Sequence, residues 1–441
     1  MPNIFRSFTS MFKIPELKRR VLYTLMMLVV YRVGGHIPTA GVNGQALAAY
    51  FKSQQGSLLG LYDMFVGGAF ANATIFALGI MPYISASIIL QLFSAVVPYF
   101  EKLSKMGEEG RKKITQYTRY GTVLLSLLQS YALSAYLQNL PPVGGIPIVP
   151  NPGFGFTLLT MLTMTTGTIF IMWLGEQIQE KGIGNGISLI IFIGIVARYP
   201  ADWFNTFRAM RMGSLNIFQL IILLAVMVGI VAAVVLMTQA QRRIPVQYAK
   251  RVVGRKMYGG QSTHIPLRLN TAGVIPVIFA QSIIMLPGTL AEFFQGSALM
   301  ETVSAMFRPG GWLYNILYLV IIVFFTYFYT AIVLNPVDLA DNMKKYGGFV
   351  PGKRPGKGTA EYIDSVLTRV TLPGAFFLAF IAILPYFLMQ WLNAPFYFGG
   401  TGLLIVVGVG LDTLAQIESH MLMRHYDGFL QKGKLRGRRG Y

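Results

Sequence analysis

Ten predominantly apolar runs divide this chain of 441 residues: 21–37, 74–97, 116–138, 154–175, 183–204, 215–238, 272–293, 312–334, 370–391 and 400–422. A hydrocarbon core about 30 Å thick takes about 20 helical residues to cross. Within it every backbone N–H and C=O needs a partner in the protein, which leaves helices as the spanning elements for runs of this length. Composition agrees, because 12% of the residues are charged, against about 25% in soluble domains. The sequence therefore predicts an all-α polytopic membrane protein with ten transmembrane helices.

The stretch Leu61–Leu92 breaks the pattern. Gly67 and Gly68 interrupt it early, leaving a short amphipathic piece bordered by Asp63 and Asn72. Gly79 and Pro82 then fall inside the second run, where kinks need protein or water beside them. A half-helix followed by a full, kinked helix is one way a chain blocks or lines a cavity.

An even number of spans puts both ends of the chain on one side, and the basic residues say which. All but Arg32, Lys52, Arg198, Arg208, Arg211 and Arg308 of the 37 Lys and Arg lie in segments on the same side as the termini, so those segments are expected in the cytoplasm. Residues 1–20 hold Lys18, Arg19 and Arg20 just before the first run, without a small-residue cleavage site soon after, so no cleavable signal peptide is expected. Ile4, Phe5, Phe8, Met11 and Phe12 recur at helical spacing and suit the membrane surface.

Two long cytoplasmic loops follow from this topology. In 241–270 the alternation of Ile244, Val246 and Tyr248, and again of Ile265, Leu267 and Leu269, predicts a basic hairpin with glycines between its arms. The other, 336–369, carries the turn-rich GGFVPGKRPGKG and a short helical stretch, Thr359–Leu367. The uncharged Pro141–Pro152 segment reads as a stiff irregular turn on the opposite side. Residues 21–205 and 206–422 each hold five spans; an odd number per half makes any structural repeat an inverted one. Residues 1–20 precede the halves and a basic tail, 423–441, follows them.

Catalytic chemistry is hard to place. Ionisable residues near the spans are few: Arg32, Glu176, Lys181, Asp412 and Glu418, all near helix ends or in the inner half of the last span. Local pairing or helix-end solvation accounts for them. His36, His264, His420 and His425 make no metal-ligand spacing, cysteine is absent, and no phosphate-binding glycine loop occurs. Neither a metal nor a cofactor is expected. The interior offers isoleucine instead, at Ile80, Ile84, Ile191, Ile278 and Ile405. A ring of such side chains would make a dry constriction, yet on periodicity alone an isoleucine in an apolar helix is core or lipid-facing.

Five long motifs are more specific: ALGIMPYISASIILQL (Ala77–Leu92), GEQIQEKGIGNGISLIIF (Gly175–Phe192), NTAGVIPVIFAQSI (Asn270–Ile283), FVPGKRPG (Phe349–Gly356) and PFYFGGTGLLIVV (Pro395–Val407). In order and register they resemble the SecY/Sec61-alpha family of protein-translocase channel subunits, over essentially the whole chain. The resemblance implies a clam-shell of two inverted five-helix halves around an hourglass pore. It implies a pore ring of Ile80, Ile84, Ile191, Ile278 and Ile405, and a plug half-helix at about 61–72 with Leu61, Met64, Phe65, Gly67, Gly68 and Phe70. A lateral gate would run between span two, at Ser85, Ile88, Gln91 and Leu92, and spans seven and eight, at Gln281, Ser282 and Met285. Gln281 stands where a smaller residue is expected.

Arg243, Arg251, Arg255, Lys256 and Arg354 match the family's docking sites for SecA and the ribosome, although the same charges also follow from topology alone. The implied partners are SecE and SecG in a heterotrimer, SecA, the ribosome, preproteins with signal sequences, YidC and SecDF, and membrane lipid. The implied function is passage of unfolded preproteins across the bacterial cytoplasmic membrane and lateral release of apolar segments, without catalysis by this chain. The alternatives are a secondary transporter with a five-plus-five inverted repeat and an intramembrane enzyme. The first lacks central charge, the second a nucleophile, metal ligands or paired acids.

Overall fold

The computed structural model describes residues 14–53, 58–213, 216–248, 251–253, 256–258, 262–293, 302–303, 305–307, 310–392 and 400–432. The amphipathic segment read at Ile4–Phe12, Arg255, and 433–441 of the basic tail lie outside them. The described residues fall into two compact units, divided after Tyr199 and again between Gly408 and Val409.

The first unit contains α1 (Pro15–Gly34), α2 (Gly44–Ser53), most of α3 (Leu58–Phe65), α4 (Met81–Val96), α5 (Pro98–Lys105), α6 (Glu108–Asn139), α7 (Phe154–Lys181) and α8 (Gly186–Val196). Pro15 occupies the first turn of α1, where its missing N–H costs nothing. Between α4 and α5 the chain turns by 96°. Val97, held extended at φ −94° and ψ 118° ahead of Pro98, makes that corner, as a residue before proline must leave the helical region. Helices α6 and α7 pack through small and polar side chains; Thr122, Ser126, Ser130, Ser134 and Thr160 are fully buried. All four of these hydroxyls on α6 return a hydrogen bond to a carbonyl of their own helix, which lets two backbones approach inside an apolar medium.

The second unit contains α9 (Tyr199–Arg211) apart from its first residue, α10 (Ile217–Gln239), α11 (Ile275–Phe293), α12 (Trp312–Val333), α13 (Pro336–Lys345), α14 (Lys357–Leu392) and the start of α15 (Gly400–Lys432), whose remainder belongs to the first. Tyr314 and Tyr318 of α12 are completely buried, and the Tyr314 and Tyr386 hydroxyls meet at 3.2 Å. Along α10 only Leu223, Ile230 and Val234 are buried, while Ile217, Phe218, Ile221, Ile222 and Val228 are exposed. An apolar helix presenting such a surface suits lipid, not water.

Among the described residues, six helices are long and apolar enough to cross a membrane, or seven if the bent α4–α5 pair counts as one. The runs at 21–37 and 116–138 fall on α1 and α6, helices rich in basic or hydroxyl side chains, and 272–293 falls on the shorter apolar α11. Three details differ from the sequence reading. The run at 74–97 becomes helical only at Met81, so Pro82 begins a helix instead of kinking one. The stretch Thr359–Leu367 is no separate helix but the first part of α14. The two long loops also fold together. Strands β1 (Gln241–Tyr248) and β4 (Ser262–Arg268) form the expected hairpin, tipped by β2 (Arg251–Val253) and β3 (Lys256–Tyr258). Strand β5 (Gly348–Phe349) then pairs with β1, giving the order β4-β1-β5. Under the sheet Ile244, Val246, Leu267, Met343, Val350, Ile363 and Leu367 form one core.

Candidate functional site

The stretch between α3 and α4 is built by its glycines. Helix α3 ends because Gly67 and Gly68 take φ +72° and +87°, the left-handed region that a Cβ resists. The Gly68 N–H then donates to the Asp63 carbonyl at 2.9 Å, and the Gly67 N–H to Met64 at 3.2 Å. The half-helix expected to reach residue 72 therefore stops at Phe65, and a chain of turns runs on to residue 80. Those turns are tied to the segment after α1, where Thr39 N–H donates to Ala73 and Ile75 N–H to Ile37. Met64, Phe65 and Phe70 are 7%, 5% and 2% exposed, so the segment is a packed body, not a surface loop. Phe70 sits edge-on to both Phe51 and Tyr62, at 5.2 Å in each case. Gly67 is buried and Gly68 half-buried, and Leu61 lies on α3.

Polar contacts fix the same segment. The Asp63 carboxylate accepts from the Arg198 guanidinium at 3.0 Å and from the Ala71 N–H at 2.8 Å. Arg32, near the end of α1, donates to the Gly67 carbonyl at 2.9 Å; Tyr31 donates to Val66 and Tyr62 to Leu78. Burial pushes the Asp63 carboxyl up from its ordinary value, against the pull of Arg198 and the Ala71 and Phe70 amides. Gly67 lies against α8 so closely that a Cβ there would come 2.9 Å from the Gly194 Cα.

Of the isoleucines, Ile80 (5% exposed), Ile84 (3%) and Ile191 (1%) belong to the first unit, Ile278 (6%) and Ile405 (fully buried) to the second. Ile80 is the residue before α4, and the Ile84 N–H donates to its carbonyl, so these two share one helix face. On α4 Ser85 and Ile88 are buried while Gln91 and Leu92 are half-buried, with the Gln91 amide donating to Ser87. On α11 Gln281, Ser282 and Met285 are all buried, and the Ser282 hydroxyl donates to the Ile278 carbonyl.

Among the basic candidates, Arg243 is exposed on β1, Arg251 lies on β2 and Lys256 on β3. Arg354 is exposed on a loop stiffened from below: the Thr359 hydroxyl donates to its carbonyl, and Lys353 lies 5.3 Å over the Tyr362 ring. No group of three His, Cys, Asp or Glu among the described residues is placed to hold a metal ion. Sequence reasoning missed Tyr31, Gly194 and the roles of Arg32 and Arg198. The two arginines did leave a signal, since both lie outside the basic segments that the topology accounts for.

The family model described as SecY matches residues 74–414. The chain is 49% identical over 425 residues to "Protein translocase subunit SecY" of Escherichia coli K12, covering 96% of each chain. It is 44% identical over 424 residues to the subunit of the same name from Aquifex aeolicus, covering 96% of this chain and 99% of the relative. Two solved structures share the fold at low identity. One is described as "The plug domain of the SecY protein stablizes the closed state of the translocation channel and maintains a membrane seal", with TM-score 0.62, 18% identity, and 97% and 99% of the two chains covered. The other is "Sec61 in the Canine ribosome-channel complex from the endoplasmic reticulum", with TM-score 0.58, 16% identity and the same coverage. Identity at this level along nearly the full length, on a fold those channels share, means that the chain belongs to the SecY family of protein translocase subunits.

Proposed function

We propose that this protein-conducting channel is formed by ten membrane-spanning helices in two inverted five-helix halves. Ile80, Ile84, Ile191, Ile278 and Ile405 would close its waist, and the segment from α3 through the glycine turn would plug it at rest. The observation that carries the reading is that segment, a short helix and a run of turns buried in the first unit ahead of α4. A structure of that kind inside a membrane protein must be covered by protein, and its glycine contacts suit a body that packs closely yet carries no covalent tether beyond its two ends. The plug named for the similar SecY structure supports the same role here. The wall needs no chemistry of its own. Apolar side chains around a narrow waist exclude hydrated ions by dewetting and give way to a passing chain.

The lateral gate would lie between α4, at Ser85, Ile88, Gln91 and Leu92, and α11, at Gln281, Ser282 and Met285. Without a hydrophobic drive between helices in lipid, a seam with polar side chains is weakly held and can open to release an apolar segment. The basic bias favours a cytoplasmic position for the joined loops and both termini, and the bacterial relatives favour the inner membrane as the site. On the cytoplasmic side the hairpin region carrying Arg243 on β1, Arg251 on β2 and Lys256 on β3, together with Arg354, would dock SecA or the ribosome, whose RNA phosphates suit such a surface. The ribosome named with the canine relative supports the second partner. SecE and SecG would complete the complex. A transporter reading finds no support among relatives that are protein translocase subunits.

The test uses the chain's lack of cysteine. A single Cys at Ile191 and another mid-chain in a secretory protein stalled during SecA-driven transport are oxidised together. A cross-link that depends on ATP and on stalling is expected. Cross-links only from positions away from the five isoleucines would place the path elsewhere.

A further inference from the structure

The plug segment carries a carboxylate into the protein, and the way it is met says how docking is set. Asp63 has a side chain 9% exposed, while its partner Arg198 is 32% exposed and stands just after α8. One carboxylate oxygen takes the Arg198 guanidinium; the other takes the Ala71 N–H and so closes the glycine turn upon α3. From a second element Arg32 reaches the Gly67 carbonyl, at the point where the turn packs on Gly194. Two cations, one on α1 and one just after α8, thus hold one short segment at positions 63 and 67. Neither belongs to the basic segments that topology explains, and each reaches a plug acceptor within 3.0 Å.

We propose that Arg198 and Arg32 are positioning residues for the plug, Arg198 neutralising the buried Asp63 carboxylate and Arg32 fixing the Gly67 carbonyl, so that the segment docks in a single register. This deepens the plug reading and rests on it. A buried ion pair adds little net stability because both partners lose water, yet removing one partner strands the other at high cost. The pair is therefore asymmetric. Loss of Arg198 leaves a carboxylate with no counter-charge in an apolar pocket, and the segment undocks to hydrate it. Loss of the Asp63 charge leaves a half-exposed arginine that water can reach. An asparagine at 63 retains an acceptor for Ala71.

Ala69 is 2% exposed, so an Ala69→Cys chain in its native complex reports docking through its reaction with a membrane-impermeant maleimide. Planar-bilayer conductance of the same complexes reports the seal. Arg198→Ala should speed labelling by about tenfold or more, short of the full cost of breaking a buried pair because Arg198 is partly exposed, and Arg32→Ala should speed it by a smaller factor that Arg32→Lys largely reverses. Adding Asp63→Asn to Arg198→Ala should return labelling close to the parent rate, which a merely misfolded variant would not do. Labelling at the parent rate in Arg198→Ala would overturn the proposal, as would a double variant as fast as the single one. For Arg32 the overturning result is unchanged labelling on truncation. Labelling that rises with no added conductance would uphold the docking contacts and overturn the seal.

Discussion

At the scale of single residues, glycine and one carboxylate decide what the proposed plug segment can do. The approach of Gly67 to Gly194 leaves no room for a side chain on either, since a Cβ at Gly194 would come 2.9 Å from the Phe65 carbonyl oxygen. Gly194→Val should cost about 1–3 kcal/mol in the docked state, as overpacking does. The substitution should raise resting conductance; an unchanged resting current would show that the close approach is not needed for sealing. Asp63 makes a second prediction, about pH. Burial raises its pKa in the docked segment, whereas a released segment would titrate near the ordinary carboxyl value of about 3.9. Docking therefore takes up a proton. The docked form is most favoured below the ordinary value and loses that advantage as pH rises through the raised one, where Arg198 alone must balance the charge. Resting channels should open less often as pH falls through that window, and Asp63→Asn should flatten the response. A wild-type slope in the asparagine variant would assign the titration to another group. The glycines were legible in the sequence because two adjacent ones halt a helix. Gly194 was not, because a small residue in an apolar helix reveals nothing about what lies against it.

At the scale of elements, the sequence showed where helices begin and turn more readily than which segments meet. Val97–Pro98 marks the corner between α4 and α5, and Pro82 marks a helix start that periodicity alone had blurred into one longer run. The β1–β4 hairpin could be read from alternation, since its two arms lie within one loop. The pairing of β5 with β1 could not, because it joins residues about a hundred positions apart through two residue pairs, Gln247 with Phe349 and Tyr248 with Gly348. Leu267 and Ile363, both fully buried, come from the two different loops and lock them together. Leu267→Ala should destabilise this core by about 2–5 kcal/mol and increase amide exchange along β1 and around Gly348. Exchange rising in β1 alone would mean that the loops fold independently. Arg354 rides on the same platform. Arg354→Glu should impair SecA-driven export while leaving that exchange pattern intact; full export with normal SecA affinity would remove Arg354 from the docking surface.

At the scale of the whole molecule, hydropathy and charge bias reported the class of protein before any contact was visible. The family motifs then supplied roles that neither could. Ile80 and Ile84 show why the motifs were needed. Their spacing puts Ile80, just before α4, on the same side as Ile84 in its first turn, but the spacing of Ile191, Ile278 and Ile405 relates none of them to that side or to each other. The proposed ring would draw its five residues from four separate stretches of the chain, and no window of sequence contains such a set. Its physical signature is also collective. Losing one branched side chain from a dewetted waist leaves neighbours able to lean in, whereas losing two opens a path wide enough for water to stay. Ile84→Gly or Ile191→Gly alone should therefore raise ion conductance modestly, and the two together by more than the sum of the single effects. Because glycine also weakens a helix by about 1 kcal/mol relative to alanine, Ile84→Ala with Ile191→Ala serves as the control for helix disruption and should leak as well. If neither double variant conducts more than the parent with the plug segment removed from all of them, the seal does not reside in these isoleucines.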